Sequence, residues 1–204
     1  MSSVIIRSFE PRDRSAVRDI CCDTADRGGP VESVFSDREI VAVALTSYYL
    51  DYEPASASVA ESDGRIVGYL LGCLNTRRCR RLMAWRIVPR VAWRGILHGL
   101  LWRRQSWRLL RAGVMTWRRG GFGAQASMTR YPAHLHINLL SGYRGNRIGQ
   151  QLVERFLGQV QANGVPGVHA VVRQDNPVAC RFFERLGFTA LERRHETVVY
   201  AKTI

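Results

Sequence analysis

The residues of this chain that could do chemistry cluster around one glycine-rich loop. An apolar, strand-like run, His134–Leu140, stops at this loop, and Gly145 and Gly149 then lead into an amphipathic helix. Such a loop turns several backbone N–H groups towards one point at a helix N-terminus, where the helix dipole favours negative charge. Arg144 and Arg147 lie in the same loop. The pattern therefore predicts a binding site for the pyrophosphate of a nucleotide-like cofactor.

Two histidines in the preceding strand are candidates for a general base. His134 and His136 alternate with apolar residues, so the two-residue period of a strand places them on one face together with Asn138. An imidazole with an ordinary pKa of about 6.5 can accept a proton from an amine at neutral pH. We take His136 as the first candidate for this role and His134 as the second. A structural histidine with satisfied hydrogen bonds is the alternative.

Two motifs resemble those of one enzyme family. The segment Arg144-Gly-Asn-Arg-Ile-Gly149 is similar to the Arg/Gln-x-x-Gly-x-Gly/Ala signature of the GNAT N-acetyltransferases, which hold acetyl-coenzyme A (acetyl-CoA). Downstream, Asn176-Pro-Val-Ala-Cys-Arg-Phe-Phe-Glu-Arg-Leu-Gly-Phe188 resembles the family's Asn-x-x-Ala-x-x-Phe-Tyr-x-x-x-Gly-Phe helix and turn. The resemblance is clear over Ala133–Arg193 and weaker over Ser2–Cys73. It extends to bacterial acetyltransferase-like domains of the kind related to O-GlcNAc hydrolases.

The resemblance implies that acetyl-CoA is the co-substrate. In the family, backbone groups of the central strand bind the pantetheine arm and the thioester oxygen, a role that falls here on Leu139 and Leu140. The glycine loop would take the pyrophosphate, and Asn176 would contact the cofactor arm or cap a helix. A glycine turn that only starts a helix is the alternative for the loop. The predicted cofactor residues are Leu139, Leu140, Ser141, Arg144, Gly145, Asn146, Arg147, Ile148, Gly149, Gln150 and Asn176.

The chain departs from the family pattern at two positions. Arg147 stands where the family usually has glycine, and a side chain is tolerated there if the backbone is helical rather than left-handed. Phe183 stands where many relatives carry a tyrosine that can protonate the departing thiolate. Phenylalanine has no proton to donate, although a thiol with a pKa of about 8.5 can leave as the thiolate.

The elements that must position these residues follow an α/β pattern. The predicted strands are Val4–Phe9, Ser58–Glu61, Arg65–Leu74, Tyr131–Leu140, Val168–Val172, Thr189–Arg193 and Thr197–Lys202. The predicted helices run from Pro11 to Thr24 and over Asp37–Tyr49, Arg147–Asn163 and Pro177–Leu186. Together with the resemblance, this order predicts a GNAT-like mixed, mostly antiparallel sheet flanked by helices, in a single domain over residues 1–204.

The net charge of +13 is concentrated in one part of the chain. Between Gly64 and Val153 there are 17 arginines and no aspartate or glutamate, and Asn75–Arg130 holds 14 of these arginines and all five tryptophans. Related proteins usually have a short hairpin connection here, so we predict a helical insertion over 75–130. It could be a lid that recognises an anionic substrate, a surface on anionic lipid, a nucleic-acid-binding surface, or a solvated face at a subdomain or dimer interface.

An aromatic and acidic cluster could line the acceptor site. Tyr48, Tyr49, Asp51, Tyr52 and Glu53 end a predicted helix, and a carboxylate there would attract an ammonium group. A solvated helix end is the alternative.

The cysteines point to a reduced, cytoplasmic protein. There are five, an odd number, and no Cys-x-x-Cys pair occurs, which predicts neither a disulfide framework nor a metal site. Cys180 lies in the second motif, but packing is favoured over a nucleophilic role because the family transfers acetyl directly.

These observations predict an N-acetyltransferase that moves an acetyl group from acetyl-CoA to an unidentified small-molecule or peptide amine. The alternative is a non-catalytic acyl-CoA-binding module whose basic insertion binds a polyanion or a membrane surface. Nucleic acid is disfavoured as a partner, and a homodimer is left open.

Overall fold

The computed structural model describes residues 3–25, 29–30, 37–97, 127–194 and 196–204. Its strands are β1 Val4–Ser8, β2 Ala57–Ser62, β3 Arg65–Cys73, β4 Ala133–Leu139, β5 Gly167–Arg173, β6 Thr189–Arg193 and β7 Thr197–Thr203. They form one seven-stranded sheet in the order β1-β2-β3-β4-β5-β7-β6. The β4–β5 pair is parallel and the other neighbouring strands are antiparallel. The predicted mixed, mostly antiparallel sheet is therefore confirmed.

The helices lie close to their predicted positions. They are α1 Arg14–Asp23, α2 Arg38–Tyr52, α3 Thr76–Leu82, α4 Val88–Leu97, α5 Ser127–Arg130, α6 Ile148–Ala162 and α7 Pro177–Arg185. Side-chain caps fix several of their starts, because an unbonded N–H of the first turn needs an acceptor. Asp37 Oδ1 accepts from the Ile40 N–H at 3.1 Å at the start of α2. Asn75 Oδ1 accepts from the Arg78 N–H at 3.0 Å at the start of α3.

A tight turn joins β2 to β3. Asp63 and Gly64 have φ values of 49° and 75°, so both lie in the left-handed region. Two consecutive left-handed residues match the right-handed twist of the strands, and Ser62 pairs with Arg65 across the turn.

The sheet is buried on both faces. Leu70 of β3 faces a core that includes Leu152 and Phe156 of α6. Its neighbour Leu71 points to the opposite face, where it packs in a cluster with Val17 of α1. This alternation along β3 places α6 and α7 on one side of the sheet and α1 and α2 on the other, which confirms the α/β class.

The first part of the predicted insertion is helical. A π-helical stretch, Met83–Ile87, joins α3 to α4. Residues 98–126, which include Trp102, Trp107 and Trp117, lie outside the described residues. Of the helices in the described ranges, none has the length and apolar character needed to span a membrane.

Candidate active site

The central strands β4 and β5 pair at one end and separate towards the other. Their pairing is limited to Ala133 with Val168 and His134 with His169, whereas β4 stays paired with β3 as far as Leu139. The edge of β4 that faces β5 therefore borders a gap beyond His134. We call this gap the wedge.

The polar backbone groups of Leu139 point towards the wedge, whereas those of Leu140 are bonded elsewhere in the protein. The Leu140 N–H donates to the Val67 carbonyl oxygen at 3.0 Å, and the Leu140 carbonyl accepts from the Tyr143 N–H. Adjacent residues of a strand turn their polar backbone groups to opposite sides, so the Leu139 N–H and carbonyl point towards the wedge. Both polar backbone groups of Leu140 are thus already bonded within the protein, and its predicted cofactor role stays a prediction.

The loop between β4 and α6 presents unbonded N–H groups. A single 3-10 turn, Ser141–Tyr143, precedes Gly145, whose φ of 86° is left-handed. In the part of the chain that the structure describes, no acceptor bonds the N–H groups from Gly145 to Gln150. Residues 148–150 open α6, so no earlier helical turn supplies acceptors for them. These amides are free to bind an anion.

Arg147 has a left-handed backbone immediately before α6. Its φ is 58° and its ψ is 3°, so the condition under which a side chain is easily tolerated, a helical backbone, is not met. A side chain in this region costs about 1–2 kcal/mol, because Cβ approaches the following carbonyl oxygen. Glycine, which the resembling motif usually has at this position, avoids that cost.

Two arginines place positive charge beside the free amides. The Nε atom of Arg144 donates to the Leu139 carbonyl oxygen at 3.2 Å, which holds the guanidinium at the mouth of the wedge. The side chains of Arg144 and Arg147 are both exposed to solvent. The loop therefore combines free N–H donors with two cations, an arrangement suited to a diphosphate.

The other predicted loop residues contribute backbone or surface. Gly149 packs against Phe182, because a Cβ built on it would lie 3.1 Å from the Phe182 Cε2 atom. Ile148 is buried in the core. The Gln150 side chain donates to Glu154 at 2.8 Å, so it lies along the helix rather than in the loop. Ser141 and Asn146 are exposed to solvent.

The second motif forms the start and the core face of α7. Asn176 Oδ1 accepts from the Ala179 N–H at 3.1 Å, so this side chain caps the helix and only its NH2 group remains for a ligand. Phe183 is buried, and its ring stacks on that of Tyr200 with centroids 6.1 Å apart. The position thus offers a packing surface and no proton donor.

His136 and Asn138 share a face of β4 and both contact one tyrosine. His136 Nε2 lies 3.1 Å from the Tyr69 hydroxyl, and Asn138 Nδ2 donates to the same hydroxyl at 2.9 Å. Burial, together with the influence of nearby His134, lowers the pKa of His136 to about 4. The ring is therefore neutral at neutral pH. The contact with Tyr69 was not predictable from motif spacing, since it depends on the β3–β4 register.

His134 is held in one tautomer by its neighbours. The Thr76 hydroxyl donates to the Pro132 carbonyl at 2.7 Å and also lies 2.7 Å from His134 Nδ1. Because the hydroxyl has one proton, Nδ1 must donate to it, which leaves the ring lone pair on Nε2. The Tyr49 hydroxyl, 2.8 Å from Nε2, donates to that lone pair.

The carboxylates of the aromatic and acidic cluster are already paired. Glu53 accepts from the Tyr48 hydroxyl at 2.6 Å and from the Leu74 N–H at 2.7 Å. Asp51 forms an ion pair with Arg14 at 2.7 Å. Internal donors therefore already bond these carboxylates, and their role at the acceptor site stays a prediction.

We call the predicted insertion over 75–130 the basic segment, and its described part carries exposed aromatic and basic side chains. Trp85 and Trp93 are 77% and 63% exposed. The side chains of Arg81, Arg86 and Arg90 are exposed on the same helical stretch. Among the described residues, neither tryptophan belongs to the buried core cluster beside the wedge.

Comparisons with known proteins agree with this architecture. The model of the acetyltransferase (GNAT) family matches residues 115–188, which span β4, the glycine loop and the second motif. The crystal structure of a protein named SsHAT is 29% identical, with 98% of each chain covered and a TM-score of 0.80.

More distant structures share the fold. The PaiA N-acetyltransferase of Thermoplasma acidophilum, solved in complex with coenzyme A, is 12% identical, with 99% of each chain covered and a TM-score of 0.60. A polyamine N-acetyltransferase of Drosophila melanogaster is 13% identical, with 99% of this chain and 100% of that one covered and a TM-score of 0.64. The family match over residues 115–188 supports the predicted GNAT family, and with it the predicted enzyme class and co-substrate, acetyl-CoA.

Proposed function

Because residues 115–188 match the model of the acetyltransferase (GNAT) family, we propose that the chain transfers the acetyl group of acetyl-CoA directly to an amine of a small molecule or peptide. The observation that carries this proposal is the row of N–H groups from Gly145 to Gln150, at the mouth of the wedge, which have no acceptor among the described residues. A diphosphate bound there would direct the pantetheine arm into the wedge. Family membership alone does not identify the acceptor.

The proposed cofactor path follows the free backbone groups. The diphosphate would accept hydrogen bonds from the loop amides. The positive charges of Arg144 and Arg147 would attract it. The Leu139 N–H would bind the arm or the thioester oxygen, where a fixed donor stabilises the negative charge that develops during attack. Asn176 would contribute its NH2 group, since its Oδ1 atom is used by the helix cap.

The proposed transfer is a direct aminolysis. The amine nitrogen attacks the thioester carbonyl carbon, the new C–N bond forms, and the C–S bond breaks as coenzyme A leaves. His136, on the central strand, is the proposed acceptor for the proton that the amine loses. Coenzyme A leaves as the thiolate and is protonated by solvent, because Phe183 has no proton to give.

A coupled assay tests this proposal. The enzyme is incubated with acetyl-CoA and a panel of amines, including polyamines, amino sugars and peptides with free amino termini. We expect thiol release in step with acetylated product for at least one amine, and no acetyl group on the protein by mass spectrometry. Tight binding of acetyl-CoA without thiol release above the rate in buffer would contradict it.

A second candidate function is favoured by the exposed tryptophans. Trp85 and Trp93 lie among exposed arginines, and this composition suits an anionic lipid surface. In this alternative the chain is a non-catalytic module that binds acyl-CoA and uses the basic segment for attachment. Salt-dependent binding to vesicles with anionic lipid, but not to zwitterionic vesicles, together with absent turnover would favour it.

The remaining predictions belong to the same proposal. They are a single domain over residues 1–204 with an insertion over 75–130, and a cytoplasmic location inferred from cysteine usage. Sedimentation of the purified chain would test whether it forms a homodimer.

A further inference from the structure

We propose that Cys73, Cys79 and His134 form a zinc site at the base of the basic segment. The two Sγ atoms and a ring nitrogen of the histidine all lie within 4.8 Å of one another. They come from three elements, since Cys73 ends β3, Cys79 lies in α3 and His134 lies in β4. The sequence predicted no metal site because the cysteines have no Cys-x-x-Cys spacing, but the β3–β4 register pairs Cys73 directly with His134.

The spacing of the three ligand atoms suits a tetrahedral ion. In a zinc site with Zn–S bonds of about 2.3 Å and Zn–N bonds of about 2.0 Å, ligand atoms lie about 3.5–3.8 Å apart. Atoms that are within 4.8 Å of one another need only small side-chain movements to reach that geometry. With three protein ligands, the fourth position is left for water or a neighbouring hydroxyl.

The hydrogen bonds of the histidine give it the protonation pattern of a metal ligand. Its Nδ1–H donates to the Thr76 hydroxyl, which is fixed in turn by the Pro132 carbonyl. Ligating histidines almost always donate their other ring N–H to such a partner, which sets the tautomer. The lone pair therefore sits on Nε2, where the Tyr49 hydroxyl now donates. An incoming ion would displace that hydrogen bond and bring the hydroxyl close to the fourth position.

The donor set selects a soft or borderline cation. Two thiolates and an imidazole suit Zn²⁺, whereas Mg²⁺ and Ca²⁺ require oxygen ligands. Cys73 and Cys79 are 0% and 2% exposed, so they are shielded from bulk oxidants while remaining close to the half-buried histidine. Binding replaces two S–H bonds by two Zn–S bonds and releases two protons to solvent, with no redox step.

The ion would join the two ends of the basic segment to the sheet. Cys79 lies near the start of residues 75–130, and His134 lies just beyond their end. A hydrogen bond between the Thr76 N–H and the Pro132 carbonyl, 2.8 Å long, already brings these ends together. A metal bond at the same place would hold α3 against β3 and β4, and so fix the base from which the basic segment extends.

Metal binding to the full-length protein tests this inference. The reduced, metal-free chain is titrated with Zn²⁺ and, separately, with Co²⁺. We expect one Zn²⁺ per chain, and a Co²⁺ complex with the absorption of tetrahedral thiolate coordination. Cys73→Ala and Cys79→Ala should each weaken zinc binding more than about 100-fold, since loss of even an outer-shell partner costs 10–100-fold.

A matched variant separates this site from general thiol binding. Cys21 is also fully buried but lies in a different cluster, so Cys21→Ala should bind zinc as the unaltered chain does. The inference is overturned if the unaltered chain shows no thiolate–Co²⁺ absorption. It is equally overturned if Cys73→Ala and Cys79→Ala retain full zinc affinity. The Co²⁺ spectrum of the unaltered chain decides the matter even if a variant fails to fold.

Discussion

The guanidinium of Arg144 donates a hydrogen bond from Nε to the carbonyl oxygen of Leu139, at 3.2 Å. This contact joins the glycine loop to the strand whose edge borders the wedge. The bond to Leu139 uses one of the five N–H donors of the guanidinium, so the donors at the exposed end of the side chain can reach an anion. The same side chain thus links the sites proposed for the diphosphate and for the pantetheine arm.

Replacing Arg144 should weaken cofactor binding. Arg144→Ala removes a cation beside the free amides. Loss of one charged hydrogen bond at an exposed site should lower the affinity for coenzyme A about tenfold. Calorimetry measures the change. Arg185→Ala is the matched control, because Arg185 is also exposed and also donates from Nε to a backbone carbonyl, that of Arg181. Equal affinities for the two variants would contradict the assigned role of Arg144.

Relieving the left-handed backbone at Arg147 should stabilise the protein. Glycine avoids the 1–2 kcal/mol steric cost but loses more conformational entropy on folding, so Arg147→Gly should raise the free energy of unfolding by about 1 kcal/mol. Unfolding by denaturant measures this change in the free energy of unfolding. Arg147→Ala removes the same charge while keeping a Cβ, and should bring no such gain. If both variants have the same stability, the conformation assigned to this residue is incorrect.

Removing the proposed base should slow transfer without loss of cofactor. General-base catalysis contributes about 10²–10⁴-fold, and we expect a value near the lower end for His136→Ala because a neutral, buried imidazole is a weak base. The turnover number should fall about 100-fold while the affinity for coenzyme A stays unchanged.

His169 provides the matched control for that experiment. It is another buried histidine, and its Nδ1 atom lies 2.7 Å from the Tyr131 carbonyl oxygen at the closed end of the wedge. His169→Gln should leave turnover of the folded enzyme close to that of the unaltered chain. A comparable loss in both variants would indicate that His136 acts only through packing.

An ion pair beneath the first helix should make stability depend on acid pH. Arg7 donates to both oxygens of buried Asp13, at 2.7 and 2.8 Å, and this bonding holds the pKa of Asp13 below its usual range. A carboxylate with a lowered pKa stabilises the fold above the pKa of the unfolded state, about 3.9, and loses this effect as the pH falls through the lower folded value.

Asp13→Asn measures this contribution. At neutral pH the variant should be less stable by about 2 kcal/mol, since hydrogen bonds to charged groups contribute about 1.5–3 kcal/mol. The difference should shrink as the pH falls below about 4. A difference that stays constant down to pH values well below that point would contradict the lowered pKa.

Features with a local cause were predictable from the sequence. The Asp63-Gly64 turn depends on backbone preferences of two residues, and the alternation of His134, His136 and Asn138 depends only on the strand period. The glycine loop was recognisable because a strand end, two glycines and a helix start are adjacent in the chain.

Features that depend on register or tertiary contact were not predictable. The Leu140 N–H is already bonded because β3 lies alongside it, and the Val67 carbonyl oxygen accepts its hydrogen bond. Motif spacing did not reveal the left-handed conformation of Arg147, since arginine rarely adopts it. The approach of Cys73 to Cys79 depends on how α3 packs on the end of β3, a contact that no local pattern in the sequence records.

The most direct test of the cofactor site observes its amides. Two-dimensional NMR of the labelled protein, titrated with coenzyme A, should show saturable shifts of the backbone N–H resonances of Gly145 and Gly149. Pantetheine, which lacks the diphosphate, should leave these two resonances nearly unchanged. If coenzyme A binds while both resonances stay in place, the diphosphate lies elsewhere and the account of this loop is wrong.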